Sequence, residues 1–260
     1  MNIKAVSWSF RHQAIQFLAD PQWIIPSIIA PFLFTVVALF MYGSVDGPVV
    51  LTAVLGGGVL GMWGNTLFTS GYSISYDRYN GTIEPIMLTP THLIDVIAGR
   101  SLWNTLIGLL NAGLVFIAAQ IIFRVGVTVA DPVMFFLMLG MTLFSLATIG
   151  MTFAALYVLT RASFVVMTIL EFPIYVFSGA LFPISVLGKL EPISYILAPS
   201  WGVDAMKTAA VAGHESITAF GIYFDVAVMI LLMVIYIAAA YILFGVIERN
   251  IRNSGTLVRY

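Results

Sequence analysis

Long apolar stretches separated by short polar segments make up most of this sequence. Six stretches are long enough to cross a bilayer as helices, at about residues 23–42, 49–70, 102–123, 132–158, 164–182 and 226–247. A helix needs about 20 apolar residues to cross the hydrocarbon layer, whereas the strands of a membrane barrel alternate over about 10 residues. The pattern therefore predicts an all-α integral membrane protein with six transmembrane helices.

Residues 3–19, before the first apolar stretch, alternate apolar and basic positions at helical spacing. Apolar residues recur at steps of three and four and form one stripe: Ile3, Val6, Phe10, Ala14 and Phe17. Basic residues lie off this stripe. The segment is therefore predicted to be an amphipathic helix in the membrane interface, with this stripe in lipid. The alternative is a short helix packed on the rest of the protein.

Residues 183–219 have a different pattern, too polar to span a membrane and too apolar for an open loop. Pro183, Pro192 and Pro199 divide the segment into short pieces. Backbone that enters a membrane without spanning it must be covered by protein. We therefore expect short, re-entrant-like helices at the outer face, between the fifth and sixth spans. Because no linker or long repeat interrupts the chain, residues 1–260 are predicted to form one transmembrane domain.

Composition and charge agree with this interpretation and add an orientation. The chain is 60% hydrophobic and 9% charged, whereas a soluble domain is about 45–50% apolar and about 25% charged. A net charge of −1 argues against nucleic acid as a partner. If the amino terminus is cytoplasmic, eight of the lysines and arginines lie on that side and three lie outside. This excess predicts that both termini and the loop at residues 77–100 are cytoplasmic.

Most familiar catalytic patterns are missing from the sequence. It contains no G-x-x-x-x-G-K-[ST] motif, so we do not expect this chain to hydrolyse ATP. It has no cysteine, and its three histidines are far apart in the predicted topology, so no metal site is expected. Gly56, Gly58 and Gly61 have the spacing of a dinucleotide site, but they lie inside a predicted span. Gly57 and Gly61 instead predict close helix packing.

Glu171 lies midway along the fifth predicted span. An ionisable side chain at this depth is costly and usually faces a cavity or the interior of the helix bundle. One interpretation is a polar point on a translocation path, or a proton-linked site, with Ser178 as a second candidate on that path. The other is a protonated side chain bonded to a neighbouring helix. Both stay open at this stage.

The loop between the second and third spans concentrates the charges of the chain. Its sequence, DRYNGTIEPIMLTPTHLIDVIAGR, occupies residues 77–100. Asn80-Gly81 predicts a turn, and Thr82 is predicted to cap a short helix over residues 83–88. Thr89-Pro90 is expected to begin a second helix that continues towards the third span.

This loop resembles the Arg-x-x-Gly-Thr-x-Glu segment of type-2 ABC exporter permeases, which is followed by a proline and a later Gly-Arg. The matching residues are Asp77, Arg78, Gly81, Thr82, Glu84, Pro90, Gly99 and Arg100. A second segment, FSGALFPISVLGKLEPISYILAPSWGVDAMK, is similar to another hallmark of the family through Ser178-Gly179, Phe182-Pro183 and Pro199. The spacing of the motifs favours the drug and lipid exporter branch.

The resemblance implies that residues 77–100 are a coupling loop that contacts a separate ATP-binding subunit. Its coupling residues would be Asp77, Arg78, Gly81, Thr82, Glu84 and Pro90, and the short helix would present Ile83, Ile86 and Met87 to a groove on that subunit. ATP and Mg²⁺ would be bound by the partner, with no cofactor in this chain. A second permease copy, or a sister permease, would complete the transporter.

The implied function is export of a hydrophobic or amphiphilic substrate, such as a drug, lipid or glycolipid, across the cytoplasmic membrane of a prokaryote. Three alternatives stay open. One is an ATP-independent, proton-coupled transporter that uses Glu171. The second is a polysaccharide-exporting ABC permease, and the third is a membrane anchor or assembly factor without a transport role.

Overall fold

The computed structural model describes residues 2–19, 21–43, 46–123, 129–159, 163–211, 213–214 and 220–254. These residues form helices and turns, with no strand among them. The helices are α1 (Ile3–Ala19), α2 (Pro21–Tyr42), α3 (Gly47–Tyr79), α4 (Ile83–Leu88), α5 (Leu93–Phe123), α6 (Pro132–Leu159), α7 (Ser163–Phe177), α8 (Glu191–Ser194), α9 (Ala198–Ala210) and α10 (Ile222–Ser254), with a 3-10 segment at Ile184–Leu190 before α8.

Within the described residues, four helices are long and apolar enough to cross a membrane. Their apolar stretches are Gly47–Thr66 in α3, Leu93–Ile122 in α5, Pro132–Val158 in α6 and Ile222–Asn250 in α10. Helices α2 and α7 contain shorter apolar stretches, Ser27–Met41 and Thr168–Phe177. The all-helical, multi-pass membrane architecture is confirmed, and the count of six spans stays a prediction.

Several helices differ in length from the predicted spans. Helix α3 continues to Tyr79 rather than ending near residue 70, and α5 already begins at Leu93 rather than near residue 102. Polar residues end an apolar run, but they do not by themselves end a helix. Helix α7 stops earlier than expected, at Phe177, and Gly179 just beyond it has a φ of +69°. Helix α9 has 13 residues, more than the short pieces expected there.

Helix α1 packs against α5 through the stripe that was predicted to face lipid. A Cβ atom added to Gly99 of α5 would lie 2.2 Å from the Val6 carbonyl oxygen, so the two backbones approach closely because this residue is a glycine. Phe10 and Phe17 contact the ring of Trp103 edge-on, with centroids 5.3 and 6.5 Å away. The lipid-facing prediction for this stripe is therefore wrong.

The opposite face of α1 carries exposed apolar and basic residues. Trp8, Ile15 and Leu18 are all more than half exposed. The guanidinium of Arg11 lies over the Trp8 ring, 5.5 Å from its centroid, which is a cation–π contact. If α1 lies in the membrane interface, this exposed face is the one that contacts lipid. The apolar stripe on the other face holds α1 on the protein.

Helix α3 lies at the centre of the fold, and its glycines allow neighbouring helices to approach. A Cβ on Gly61 would lie 2.1 Å from the Pro31 ring of α2, and a Cβ on Gly57 would lie 2.1 Å from the Thr35 hydroxyl oxygen. Gly58 approaches Ala112 of α5 in the same way. The packing interpretation of the glycine motif is confirmed. The dinucleotide pattern has no strand before it, since it lies within α3.

Candidate functional site

The connection between α3 and α5 turns sharply at Asn80-Gly81. The Asn80 N–H donates to the Tyr76 carbonyl at 2.9 Å, and the Thr82 N–H donates to the Asp77 carbonyl at 2.8 Å. Gly81 has a φ of +69°, a conformation that other residues rarely adopt. The predicted turn is confirmed, and it requires glycine for its backbone conformation rather than for space, since a Cβ there would meet nothing within 4 Å.

Thr82 ties α4 to α3 instead of capping α4. The predicted helix over residues 83–88 is confirmed, but Thr82 already has helical backbone angles and makes no side-chain cap. Its hydroxyl donates to a carboxylate oxygen of Asp77 at 2.9 Å. A hydrogen bond to a carboxylate is stronger than one between neutral groups. The capping prediction for Thr82 is therefore wrong, because the nearby carboxylate attracts its hydroxyl.

Asp77 and Arg100 form a buried ion pair between the ends of α3 and α5. The Arg100 Nη1 atom donates to Asp77 Oδ2 at 2.5 Å and to the Ser73 carbonyl at 3.4 Å. Both side chains are buried, with 9% of the Asp77 side chain and 3% of the Arg100 side chain exposed. Asp77 therefore holds the loop through Arg100 and Thr82, and its coupling role stays a prediction.

For the remaining predicted coupling residues, the structure gives either the position of the backbone or the exposure of the residue, and no side-chain contact. Arg78 lies in the last turn of α3 and Glu84 in the first turn of α4. The side chains of both, and that of Met87, lie outside the described residues. Pro90 is exposed in the short link between α4 and α5. The coupling roles of Arg78, Glu84 and Pro90 stay predictions.

Helix α4 packs its first apolar residue inward. Ile83 is only 3% exposed and belongs to a core cluster with Phe244 and Ile247 of α10, and Ile86 packs on the same cluster. The expectation that Ile83 contacts a partner is therefore wrong, since Ile83 is buried in a cluster formed with residues of α5, α6 and α10. Among the described apolar side chains of α4, Leu88 is the most exposed, at 87%.

Two further contacts hold the loop in place, and neither had a clear signal in the sequence. The Glu248 carboxylate of α10 accepts a hydrogen bond from the Leu93 N–H at 2.7 Å and contacts His92 Nδ1 at 3.2 Å. Asp95, in the first turn of α5, accepts from the Asn2 N–H at 3.0 Å. Free N–H groups at a helix start attract carboxylates. Helices α1, α3, α5 and α10 therefore all help to fix α4.

A groove of about 810 Å³ opens between α1 and this loop. Its wall includes the basic side chains Lys4 and His12 of α1, Pro85 and Ile86 of α4, and Thr89 in the link that follows. The exposed surface of α4 and this groove together form one continuous end of the molecule, which we call the α4 surface.

Glu171, the second candidate site, is half-buried on α7. The Tyr175 hydroxyl, one turn further along the same helix, donates a hydrogen bond to its carboxylate. A Cβ added to Gly64 of α3 would lie 2.8 Å from the Tyr175 hydroxyl oxygen, so this pair lies against α3. Among the described residues Glu171 is thus bonded within its own helix, and its roles on a translocation path or in a bond to a neighbouring helix stay predictions.

Ser178 closes the end of α7. Its hydroxyl donates to the Tyr175 carbonyl at 2.9 Å and accepts from the Ala180 N–H at 3.2 Å. The side chain is fully buried. These contacts give Ser178 a structural role, and its place on a translocation path stays a prediction.

Lys207 of α9 is a buried cation that sequence reasoning did not single out. Its Nζ donates to the Gly179 and Ala180 carbonyls, at 2.8 and 2.9 Å, just beyond the end of α7. Burial lowers the pKa of Lys207 to about 8, an effect that nearby Asp204 partly offsets. Asp204 in turn contacts His214 Nε2 at 3.2 Å. A lysine three residues after an aspartate in an otherwise apolar segment was the available signal.

Comparison with known families agrees with this architecture. The family model described as ABC-2 type transporter matches residues 4–211, which includes α1, the α3–α5 loop and α9. The chain belongs to the ABC-2 type transporter family. No individual curated protein sequence matches it significantly. Members of the family are membrane transport components rather than ATPases, and they typically work with a partner ATP-binding subunit.

Proposed function

We propose that this chain is the permease subunit of an ATP-driven exporter in the cytoplasmic membrane of a prokaryote. In this proposal α2, α3, α5, α6, α7 and α10 are the six spans, and both termini are cytoplasmic. A second copy or a sister permease completes the pathway, and the substrate is a hydrophobic or amphiphilic drug, lipid or glycolipid. Membership of the family and the distribution of lysine and arginine support this proposal.

The observation that carries the proposal is the rigid presentation of Leu88 on the α4 surface. An isolated exposed leucine needs no explanation by itself. Here the buried Asp77–Arg100 pair, the Thr82 bond and the α10 contact hold α4, so Leu88 projects from a fixed support. Preorganised apolar anchors contribute most of the affinity of many interfaces. We assign this surface to the ATP-binding subunit, which supplies the ATP and Mg²⁺ sites.

The test compares two exposed apolar residues at opposite ends of the molecule. Leu88 is 87% exposed on α4, and Val186 is 71% exposed in the segment before α8. Leu88→Asp should lower the amount of co-purifying ATP-binding subunit at least about fivefold, because an interface anchor contributes more than about 1 kcal/mol. Val186→Asp should leave it unchanged. The measurement is vanadate-sensitive ATP hydrolysis that co-purifies with tagged permease from membranes of the native host.

A second arm tests the loop conformation. Gly81→Val should reduce substrate-stimulated ATP hydrolysis while leaving membrane insertion intact, because valine tolerates a φ of +69° poorly. Glu84→Ala tests the predicted coupling carboxylate in the same assay. If Leu88→Asp and Gly81→Val both retain wild-type co-purification and hydrolysis, the α4 surface is a solvated connection and the docking proposal fails.

A further inference from the structure

Glu171 has an unusual position in the sequence as a whole. In the six apolar segments predicted to span the membrane, it is the only aspartate, glutamate, lysine, arginine or histidine. An ionised carboxylate in hydrocarbon is costly unless an opposite charge accompanies it. Because these segments contain no basic residue, none of them supplies a counter-charge, and a proton or a positively charged ligand could supply it.

The surroundings of Glu171 favour a ligand of one chemical type. Tyr175 donates to its carboxylate, and Phe34 of α2 meets the Tyr175 ring edge-on with centroids 5.2 Å apart. Phe172 contacts Tyr175 from the other side at 6.3 Å. A carboxylate beside several aromatic rings attracts an organic cation both by charge and by cation–π contact.

Glu171 is also accessible from outside the chain. The outward face of α7 carries a row of exposed apolar residues, among them Ile169, Phe172 and Val176. Glu171 is half-buried beside this row, and its neighbour Phe172 is 64% exposed. A bulky apolar ligand that approaches along this face could therefore place a positive charge at the carboxylate and its apolar groups on the row.

We propose that Glu171, together with Tyr175, Phe34 and Phe172, binds a lipophilic organic cation. This deepens the proposed function by naming a substrate class, and as a transport site it rests on that function. Binding itself requires only the permease chain. The competing outcome is that Glu171 binds only a proton. The test below distinguishes proton binding from cation binding.

The test uses two probes of the same shape and opposite charge. Tetraphenylphosphonium is a permanent cation, and tetraphenylborate is its anionic counterpart. Full-length protein in phosphatidylcholine nanodiscs should bind tetraphenylphosphonium saturably in equilibrium dialysis, after subtraction of empty nanodiscs, and should not bind tetraphenylborate saturably. Glu171→Gln should lower the affinity for the cation at least about tenfold, and Glu171→Asp should retain most of it.

The chain offers a matched control for this substitution. In α8, the Tyr195 hydroxyl donates to the Glu191 carboxylate with the same spacing of four residues as the Tyr175–Glu171 pair. Glu191 lies outside the predicted spans, so Glu191→Gln should leave cation binding unchanged. If Glu171→Gln binds tetraphenylphosphonium as the wild type does, or if the wild type binds both probes equally, the proposal is wrong.

A second measurement needs no variant. Dicyclohexylcarbodiimide modifies carboxyl groups in apolar surroundings, and mass spectrometry can locate the adduct at Glu171. Tetraphenylphosphonium should slow this modification in the wild type, and tetraphenylborate should not. If the modification depends on pH but is not slowed by tetraphenylphosphonium, Glu171 binds a proton and not the cation, and the proposal is wrong. Since the ATP-binding subunit is absent from both assays, their outcome is independent of whether the α4 surface docks an ATPase.

Discussion

The two ends of this molecule each bury charge, but they neutralise it in different ways. At the α4 end, Asp77 and Arg100 lie on neighbouring helices and cancel each other's charge. At the α9 end, the Lys207 ammonium is held by two backbone carbonyls, with Asp204 as the nearby carboxylate. Removing one member of the first pair leaves an unbalanced charge in the interior, whereas removing Lys207 leaves two neutral carbonyls without this donor. This difference predicts how strongly substitutions at the two ends should change the free energy of unfolding.

The largest effect is expected from Arg100→Met. This change leaves the Asp77 carboxylate buried without its cation, which typically costs about 3–5 kcal/mol of the free energy of unfolding. The double variant Asp77→Asn, Arg100→Met removes both charges and should recover a large part of that loss. Thermal unfolding of the purified protein in detergent measures both. A single variant as stable as the wild type would contradict the ion pair as the main contact at this end.

A smaller effect is expected from Lys207→Met. The Gly179 and Ala180 carbonyls lose a charged donor, and an unsatisfied buried group costs about 1–3 kcal/mol. Lys189, an exposed lysine at the same end of the molecule, provides the control, so Lys189→Met should leave unfolding unchanged. Equal destabilisation by the two variants would show that Lys207 acts only through the overall charge of this end.

The third effect is a pH dependence at the α9 end. The pKa of Lys207 is about 8 in the folded protein and 10.5 for an ordinary lysine. Between these values the unfolded chain binds more protons than the folded one, so the stability of the wild type should rise with pH across this window. Lys207→Met should lack this rise and should therefore be more costly at high pH than at neutral pH. The measurement is the midpoint of thermal unfolding of the wild type and of Lys207→Met at several pH values between about 8 and 10.5. Parallel curves would contradict a buried, titrating Lys207.

Sequence patterns predicted those features that depend on neighbouring residues. The apolar runs of α2, α6 and α10 and the Asn80-Gly81 turn are encoded locally. The bounds of α4 could also be predicted, because a turn precedes the helix and a proline follows it. The family resemblance rested on the same local motifs, and it is confirmed.

The errors concern contacts between residues that are distant in the chain. Ile83 was predicted to contact a partner because nothing in the loop shows that it is buried in a cluster with residues of α6 and α10. The stripe on α1 satisfied the pattern for lipid contact, but Gly99 gives α5 a closer surface for it. The carbonyl acceptors of Lys207 lie 27 and 28 residues earlier, so the residues near Lys207 in the sequence do not show what buries it. Helical periodicity identifies a buried face without identifying what covers it.

The contact between Glu248 and the start of α5 has a consequence for biosynthesis. It joins residues that are 155 positions apart, whereas the Asp77–Arg100 pair spans 23. A growing chain can form the ion pair early, but the Leu93 N–H and the apolar face of α4 acquire their α10 partners only once the last helix has been made. An incomplete chain therefore leaves this end uncovered. If the α4 surface docks another subunit as proposed, we expect this docking only after translation has passed residue 248.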